Sequence, residues 1–253
     1  METATQQLNK WRHSSVNINR LRAMSKFSQP KAVQKAAELK TKQLAQDAKR
    51  LSLDLAYVLG VAKGDGCTST AQRRIILSAT DKDFVATFKT ALENWSKFNA
   101  RFYSRDIKKP DYIKTRKTQW VSYIDSKEAA DFLASFNING ILSASNDVKC
   151  AFLKGLFDSE GSVSKDSVIF YNSNKSLTQL VYNLLQQLNI EPQINNYKAK
   201  SLSGKEILYS RVCIYKKDSL RKFANLIGFS IKRKSNKLHT LVNPKGGDDK
   251  NDR

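Results

Sequence analysis

The sequence predicts an α+β protein built as two copies of one αββαββα unit. Three observations carry this. Short apolar–polar alternations, such as Arg74-Ile75-Ile76-Leu77-Ser78 and Trp120-Val121-Ser122-Tyr123-Ile124, lie between helix-like segments. The two parts of the chain align on each other with a nearly constant offset. A glycine, a small residue, an acid and a second glycine recur in register at the end of the first helix of each copy: Leu59-Gly60-Val61-Ala62-Lys63-Gly64-Asp65-Gly66 lies on Lys154-Gly155-Leu156-Phe157-Asp158-Ser159-Glu160-Gly161 at an offset of 95.

Taken in order, residues 1–50 are rich in Gln, Lys, Arg and Ala and poor in aromatics, with Lys31 to Arg50 reading as a polar, basic helix. They are assigned to a basic N-terminal extension, partly helical or disordered. The first half, 51–145, opens with the apolar run Leu53 to Val61 behind Ser52, a hydroxyl residue suited to N-capping. Strands follow around Arg74–Ser78 and Trp120–Ile124, with helices over Phe84–Trp95 and Lys127–Phe136. The second half, 146–243, opens with Val148 to Phe157 behind Asn146 as N-cap. Ile76 to Phe84 matches Ile169 to Leu177 at an offset of 93, and Val121, Tyr123 and Phe132 match Val212, Ile214 and Phe223 at 91. Residues 244–253 read as a flexible tail.

Composition narrows the chemistry. Across 253 residues, 44 Lys and Arg face 23 Asp and Glu, a net charge of +21, so a polyanion is the expected partner. Mean hydropathy of −0.51 and the lack of a long uncharged apolar run predict no membrane span. Three cysteines, Cys67, Cys150 and Cys213, form no CxxC pair, and the N-terminus has no apolar signal core; both predict an intracellular, reducing compartment. With only His13 and His239, histidine-based hydrolysis and zinc chemistry are disfavoured. A hydrolase of this composition must use carboxylates, lysines and a metal.

Gly60 and Gly64 stand four apart, as do Gly155 and Ser159, so each motif helix carries a strip without bulky side chains. A helical glycine costs about 1 kcal/mol relative to alanine, so the strips need a reason; close packing of the two helices supplies one. That packing sets Asp65 beside Glu160 at two helix C-termini, each followed by a glycine free to take a left-handed turn. Two carboxylates and two negative dipole ends repel unless cations lie between them, which suits Mg²⁺ with its preference for oxygen ligands.

These motifs resemble the two motifs of a single-chain LAGLIDADG homing endonuclease, and the resemblance covers about residues 51–243. It implies two αββαββα halves that meet at the motif helices, each presenting a curved antiparallel sheet to the DNA major groove. It also implies a monomer that makes a double-strand break in a long pseudo-palindromic site of double-stranded DNA. The metal, Mg²⁺ with Mn²⁺ able to substitute, would be held by Asp65 and Glu160, assisted by the carbonyls of Gly64 and Ser159. Lys234, in Gly228-Phe229-Ser230-Ile231-Lys232-Arg233-Lys234, matches a lysine that the family places near the metal, where it would act on the attacking water or the phosphorane charge. Counted from the aligned phenylalanines, its first-half partner is Ser143, and a missing lysine there predicts unequal cutting of the two strands. Asp81 and Asn174 occupy aligned strand-to-helix turns, as parts of the water network or as plain N-caps.

Arg73, Arg74, Lys114, Arg116, Lys117, Lys165, Lys198, Lys200 and Arg211 lie in or beside predicted strands and are the expected DNA-binding residues, mixed with Gln72, Gln119, Gln193 and Asn195. Tyr103, Tyr112, Trp120 and Tyr171 are candidates for stacking on bases or across strands. Two rivals remain. A PD-(D/E)xK nuclease could be drawn from Pro110-Asp111 and Asp125-Ser126-Lys127, but the repeat does not carry that pattern. The same fold could also serve an RNA-binding intron maturase or a non-catalytic DNA-binding protein.

Overall fold

The structure is a computed structural model that describes residues 44–106, 118–200 and 206–244. The first half runs α1 (Leu53–Lys63), β1 (Cys67–Ser69), β2 (Arg74–Ala79), α2 (Lys82–Ser96), β3 (Arg101–Asp106), β4 (Thr118–Asp125) and α3 (Lys127–Ser135), then a 3₁₀ turn over Ile138–Ser143. The second runs α4 (Asn146–Glu160), β5 (Gly161–Val163), β6 (Val168–Asn172), α5 (Lys175–Gln187), β7 (Gln193–Lys200), β8 (Glu206–Ile214) and α6 (Lys217–Leu226), and adds α7 (Lys232–Val242). Each half contains an antiparallel four-stranded sheet, ordered β1-β2-β4-β3 and β5-β6-β8-β7, so the expected α+β duplication is present.

The period-2 rule sorts each sheet into two faces. Ile75 pairs with Ile124 and Leu77 with Ser122, all buried against the helices; Val168 with Ile214 and Phe170 with Val212 do the same in the second half. The helices covering these faces are amphipathic at 3.6-residue spacing. In α2, Phe84, Val85, Phe88, Ala91, Leu92 and Trp95 turn inward, and in α5, Leu177, Leu180, Val181, Leu184 and Leu185 do so.

Sheet register corrects the repeat alignment. Ile124 and Ile214 hold the same place in their sheets, as do the buried Leu133 and Phe223 in α3 and α6 and the buried Ile141 and Ile231 beyond them, so this part of the repeat runs at an offset of 90, not 91. Matching like residues set Val121 and Tyr123, on the outer face, against inward Val212 and Ile214. A slip of one residue turns every strand residue over, so the pairing of faces decides. The first-half partner of Lys234 is therefore Ala144, and the conclusion that no lysine stands there is unchanged.

Every residue from Leu55 to Val61 is buried, so α1 is covered all round, with α4 on one side. The contact runs through the glycine strips. A Cβ on Gly60 would run into the carbonyl oxygen of Phe152 and stand 3.0 Å from the amide nitrogen of Leu156; one on Gly155 would meet the Tyr57 carbonyl and stand 2.9 Å from the Val61 nitrogen. A Cβ on Gly64 would lie 2.7 Å from Ser159 Oγ. The helices thus touch backbone to backbone, as the strips predict.

Three local expectations change. Ser52 caps α1, accepting from Leu55 N at 3.2 Å, but α4 is capped by Ser145, which accepts from Val148 N at 3.4 Å; Asn146 is its first helical residue. Gly66 and Gly161 take no left-handed turn, and Gly161 is extended at φ −83°. Close approach explains them instead, since a Cβ on Gly161 would stand 2.8 Å from the Phe157 ring and one on Gly66 2.9 Å from the Val61 carbonyl oxygen. Finally, residues 44–50 do not belong to a basic extension. Leu44 and Ala48 are buried in the first half, the Trp95 indole donates to the Ala48 carbonyl at 2.7 Å, and Lys49 pairs with Glu128 at 3.0 Å. The rest of the expected extension, 1–43, and the tail from 245 lie outside the described residues.

Candidate metal site and nucleic-acid faces

Because α1 and α4 meet at their glycines, their C-terminal ends are brought together, and with them Asp65 and Glu160. Asp65 is exposed in the turn after α1, whereas α4 continues through Glu160, which is half-buried. Gly64 is close enough to the second motif that a Cβ there would stand 3.3 Å from Glu160 Cγ. Partial desolvation raises both carboxyls above their ordinary values. The Asp65 charge raises Glu160 further, and the Lys234 charge lowers both. Two carboxylates held where each resists ionising form an anionic pair of oxygen donors that a hard divalent cation fits. No group of three or more His, Cys, Asp or Glu able to hold a metal occurs among the described residues, so a cation here would need backbone, water or substrate oxygens as well.

Lys234 lies close to these acids but is buried, and its amine is engaged. Nζ donates to the carbonyls of Asp158 at 2.6 Å, Phe157 at 3.2 Å and Ser159 at 3.5 Å. It therefore closes the last turn of α4 with a positive charge, where the dipole favours one. Burial lowers its pKa to about 8 against the pull of Asp158. The Ser159 carbonyl, expected to assist a metal, is one of the oxygens within reach of this amine.

Beneath it lies a network that single-residue reading of the sequence does not reveal. The Asp158 carboxylate, 1% exposed, accepts from the Tyr57 hydroxyl at 2.9 Å and from Ser230 Oγ at 2.6 Å on one oxygen, and from Ser230 N at 2.8 Å on the other. Burial raises its pKa, and these bonds oppose the rise. Tyr57 belongs to the first half and its partners to the second. The one clue in the sequence is the motif itself, which has Asp158 where the first copy has Lys63.

Two more ties cross between the halves. Arg233 donates to Asp81 through two bonds of 2.8 Å, and Lys232 N donates to Asp83 at 2.6 Å. Asp81 makes no cap bond to its own helix, whereas Asn174 caps α5 by accepting from Leu177 N at 3.1 Å. The aligned pair thus splits into one interdomain anchor and one plain N-cap.

The sheet faces turned away from the helices carry polar and aromatic rows. In the first half these are Arg101, Tyr103 and Arg105 on β3, opposite Tyr123, Val121 and Gln119 on β4. In the second, Asn195 lies opposite Arg211, which pairs with Tyr171. Arg101 and Arg105 were missed because a strand with charge at alternate positions reads as a solvated loop. Among the expected contacts, Arg73 is exposed in the turn before β2 with φ 55°, and Lys165 is exposed between β5 and β6. Arg74 is constrained: it makes a two-bond pair with Asp125 at 2.7 and 3.2 Å and lies 4.1 Å from the Tyr123 ring centre. The Arg211 guanidinium is 5.8 Å from the Tyr197 ring, and its buried Nε has no hydrogen-bond partner among the described residues. Lys198 and Lys200 fall on β7 at positions alternating with Asn195 and Tyr197 of the outer row, and Lys114, Arg116 and Lys117 lie outside the described residues. Tyr171 meets Tyr197 edge-on at 6.4 Å, whereas Trp120 stacks on Phe102 at 5.3 Å on the helix side; Tyr112 lies outside the described residues.

Comparison with known proteins agrees with this architecture. Residues 147–228 match the family model for a LAGLIDADG-like domain. Two uncharacterized proteins of Methanocaldococcus jannaschii are 29% and 28% identical over 203 and 178 residues; the matches cover 76% and 62% of this chain and 72% and 65% of theirs. The replication factor C small subunit of that organism is 27% identical over 204 residues, 75% of this chain and 10% of that protein's length. Among solved structures, I-DmoI in complex with DNA and calcium has a TM-score of 0.52 at 19% identity, covering 75% of this chain and 98% of that one. An I-DmoI variant with its target DNA nicked in the coding strand, in the presence of manganese, has a TM-score of 0.50 at 20% identity, covering 70% and 96%. The duplicated sheets, the glycine-packed helices and the domain match in the second half together place the chain among proteins of the two-domain LAGLIDADG fold.

Proposed function

We propose that the chain is a homing endonuclease: a monomer that binds a long pseudo-palindromic DNA site and cuts both strands by divalent-metal-dependent phosphodiester hydrolysis. The observation that carries the reading is the meeting of Asp65 and Glu160, one from each repeat, at the ends of two helices in backbone contact. A binding protein gains nothing from two facing carboxylates on a chain of charge +21. Further support comes from the outer rows of Arg, Tyr, Gln and Asn on both sheets, which suit phosphate neutralisation and major-groove contacts. The fold neighbours are described as bound to DNA with calcium or manganese. A related stretch that fills a tenth of a replication protein is also what a mobile insertion leaves in a host gene, in keeping with intron or intein homing.

In this reading Asp65 and Glu160 would hold Mg²⁺ or Mn²⁺, with Gly64 and Ser159 carbonyls in support. The ion would supply positive charge at the scissile phosphate and a more acidic bound water. The chain's own residues set the frame. Glycine packing fixes the distance between the two acids, Lys234 holds the final carbonyls of α4 and adds charge to the site, and the basic rows bring the phosphates to it.

The test is incubation with a randomised duplex library and Mg²⁺, followed by sequencing of the cut ends. Recovery of one long site with paired nicks on both strands, lost in EDTA, is the expected outcome. Tight, selective binding without cut ends would overturn the endonuclease reading and leave a DNA-binding protein; selective retention of structured RNA instead would favour the maturase.

A further inference from the structure

The second half contains a buried polar network that the first half does not repeat. At the repeat-related places, Tyr57 corresponds to Phe152, Asp158 to Lys63, Ser230 to Gly140 and Lys234 to Ala144. Four consecutive links join these residues. Tyr57 is 5% exposed, and its hydroxyl donates to Asp158 Oδ2 and stands 3.3 Å from Ser230 Oγ. Both Asp158 oxygens accept from Ser230, through its amide and its hydroxyl. Ser230 immediately precedes the first turn of α7, where the Lys234 amide donates to the Ile231 carbonyl at 3.0 Å. From that turn the Lys234 side chain reaches back to the carbonyls of Phe157, Asp158 and Ser159. The circuit closes on the helix end that carries Glu160.

We infer that Tyr57, a residue of the first half, is a positioning residue for Lys234 of the second half, acting through Asp158 and Ser230, and that it governs the cutting of only one of the two DNA strands. The inference about cutting rests on the endonuclease reading; the mechanical link from Tyr57 to Lys234 does not. A buried carboxylate needs its donors, and removing one lets the group seek water or another partner. Asp158 would then loosen its hold on Ser230, and α7 would carry Lys234 away from the end of α4. A displacement near 1 Å at a reacting centre is enough to slow a reaction markedly. Among the described residues the first half has no such circuit, so its side of the site has nothing to lose.

Tyr57→Phe tests this with little risk to folding, because it removes one oxygen atom and places at 57 the residue type already present at 152. Ser230→Ala serves as the second variant. On the duplex recovered from the library, labelled separately on each strand, Lys234→Met identifies the strand that Lys234 serves. Tyr57→Phe should slow that same strand roughly tenfold under single-turnover conditions and leave the other unchanged. In the Lys234→Met background it should add no further loss, because residues acting as one unit are not additive. Equal slowing of both strands, or full additivity, would overturn the proposal. A second readout needs no cleavage: amine-reactive labelling with peptide mass spectrometry. In Tyr57→Phe and Ser230→Ala, labelling of Lys234 should rise several-fold while Lys232 and Lys237 stay constant. If the unaltered protein cuts no duplex, the endonuclease reading fails, and a selective rise at Lys234 still upholds the link; unchanged labelling refutes it.

Discussion

Asp65 and Glu160 are arranged for something other than the stability of the free protein. Both carboxyls are raised by desolvation, so the folded state binds their protons more tightly than the unfolded chain does. A raised carboxyl makes stability fall as pH climbs from the ordinary carboxylate range through the folded value. Above the folded values the full penalty is present. In EDTA at pH 7, Asp65→Asn and Glu160→Gln should therefore raise Tm by about 1–3 °C, a modest gain because both groups keep contact with solvent. The same substitutions should reduce cleavage at least about 100-fold while DNA affinity holds or improves, since removing negative charge does not weaken attraction to phosphate. Lys234 has the opposite sign. Its pKa, lowered to about 8, makes the folded state release a proton that the unfolded chain keeps. Relative to Lys234→Met, the unaltered protein should gain stability as pH rises from about 8 toward the ordinary lysine value near 10.4, readable as converging melting curves. The two acids were legible because they recur. The Tyr57–Asp158–Ser230 network was not, because its partners stand 101 and 72 residues apart and nothing in either local sequence announces the pairing.

Among elements, the motif helices were the most legible, since small residues at every fourth position of an apolar helix cost helix propensity and bring a gain only where a second backbone comes close. Their contact has no room even for a methyl group: a Cβ at 60 or 155 meets backbone of the facing helix, which cannot rotate aside. Gly60→Ala or Gly155→Ala should thus destabilise by about 3 kcal/mol, a fall in Tm of about 6–12 °C by thermal melting, despite alanine's better helix propensity. Gly140, with nothing within 4 Å of its Cβ position, is the control, and Gly140→Ala should leave Tm nearly unchanged. The strands were legible in kind but not in register. Likeness of Val121 to Val212 outweighed the question of which face each residue takes, and only the cross-strand pairs restore the offset of 90. The Arg101–Tyr103–Arg105 row hid for a related reason: its inward residue, Phe102, is flanked by polar neighbours, so the apolar half of the alternation is a single ring.

At the scale of the whole molecule, charge decides the partner. A surplus of 21 positive charges over the whole sequence should engage many phosphates at once. The logarithm of DNA affinity should fall against the logarithm of salt with a slope of about −5 to −10, measured by fluorescence anisotropy, and a flat dependence would point to a different partner. Reversing single charges sorts the basic residues: exposed Arg73 or Lys165 should reduce the slope by about 1, whereas Arg74, already joined to Asp125, should change it less. The duplicated architecture was legible from the sequence, but the ties that cross between its halves were not.

Those ties bear on how the molecule comes apart. The first helix of each half forms part of the other half's interior, the Asp158 carboxylate takes a donor from across the divide, and Arg233 and Lys232 fasten to Asp81 and Asp83 beside it. Neither repeat has a complete core when alone. Despite its internal symmetry, the chain should therefore melt in a single calorimetric transition, with calorimetric and van't Hoff enthalpies equal, rather than as two beads on a string.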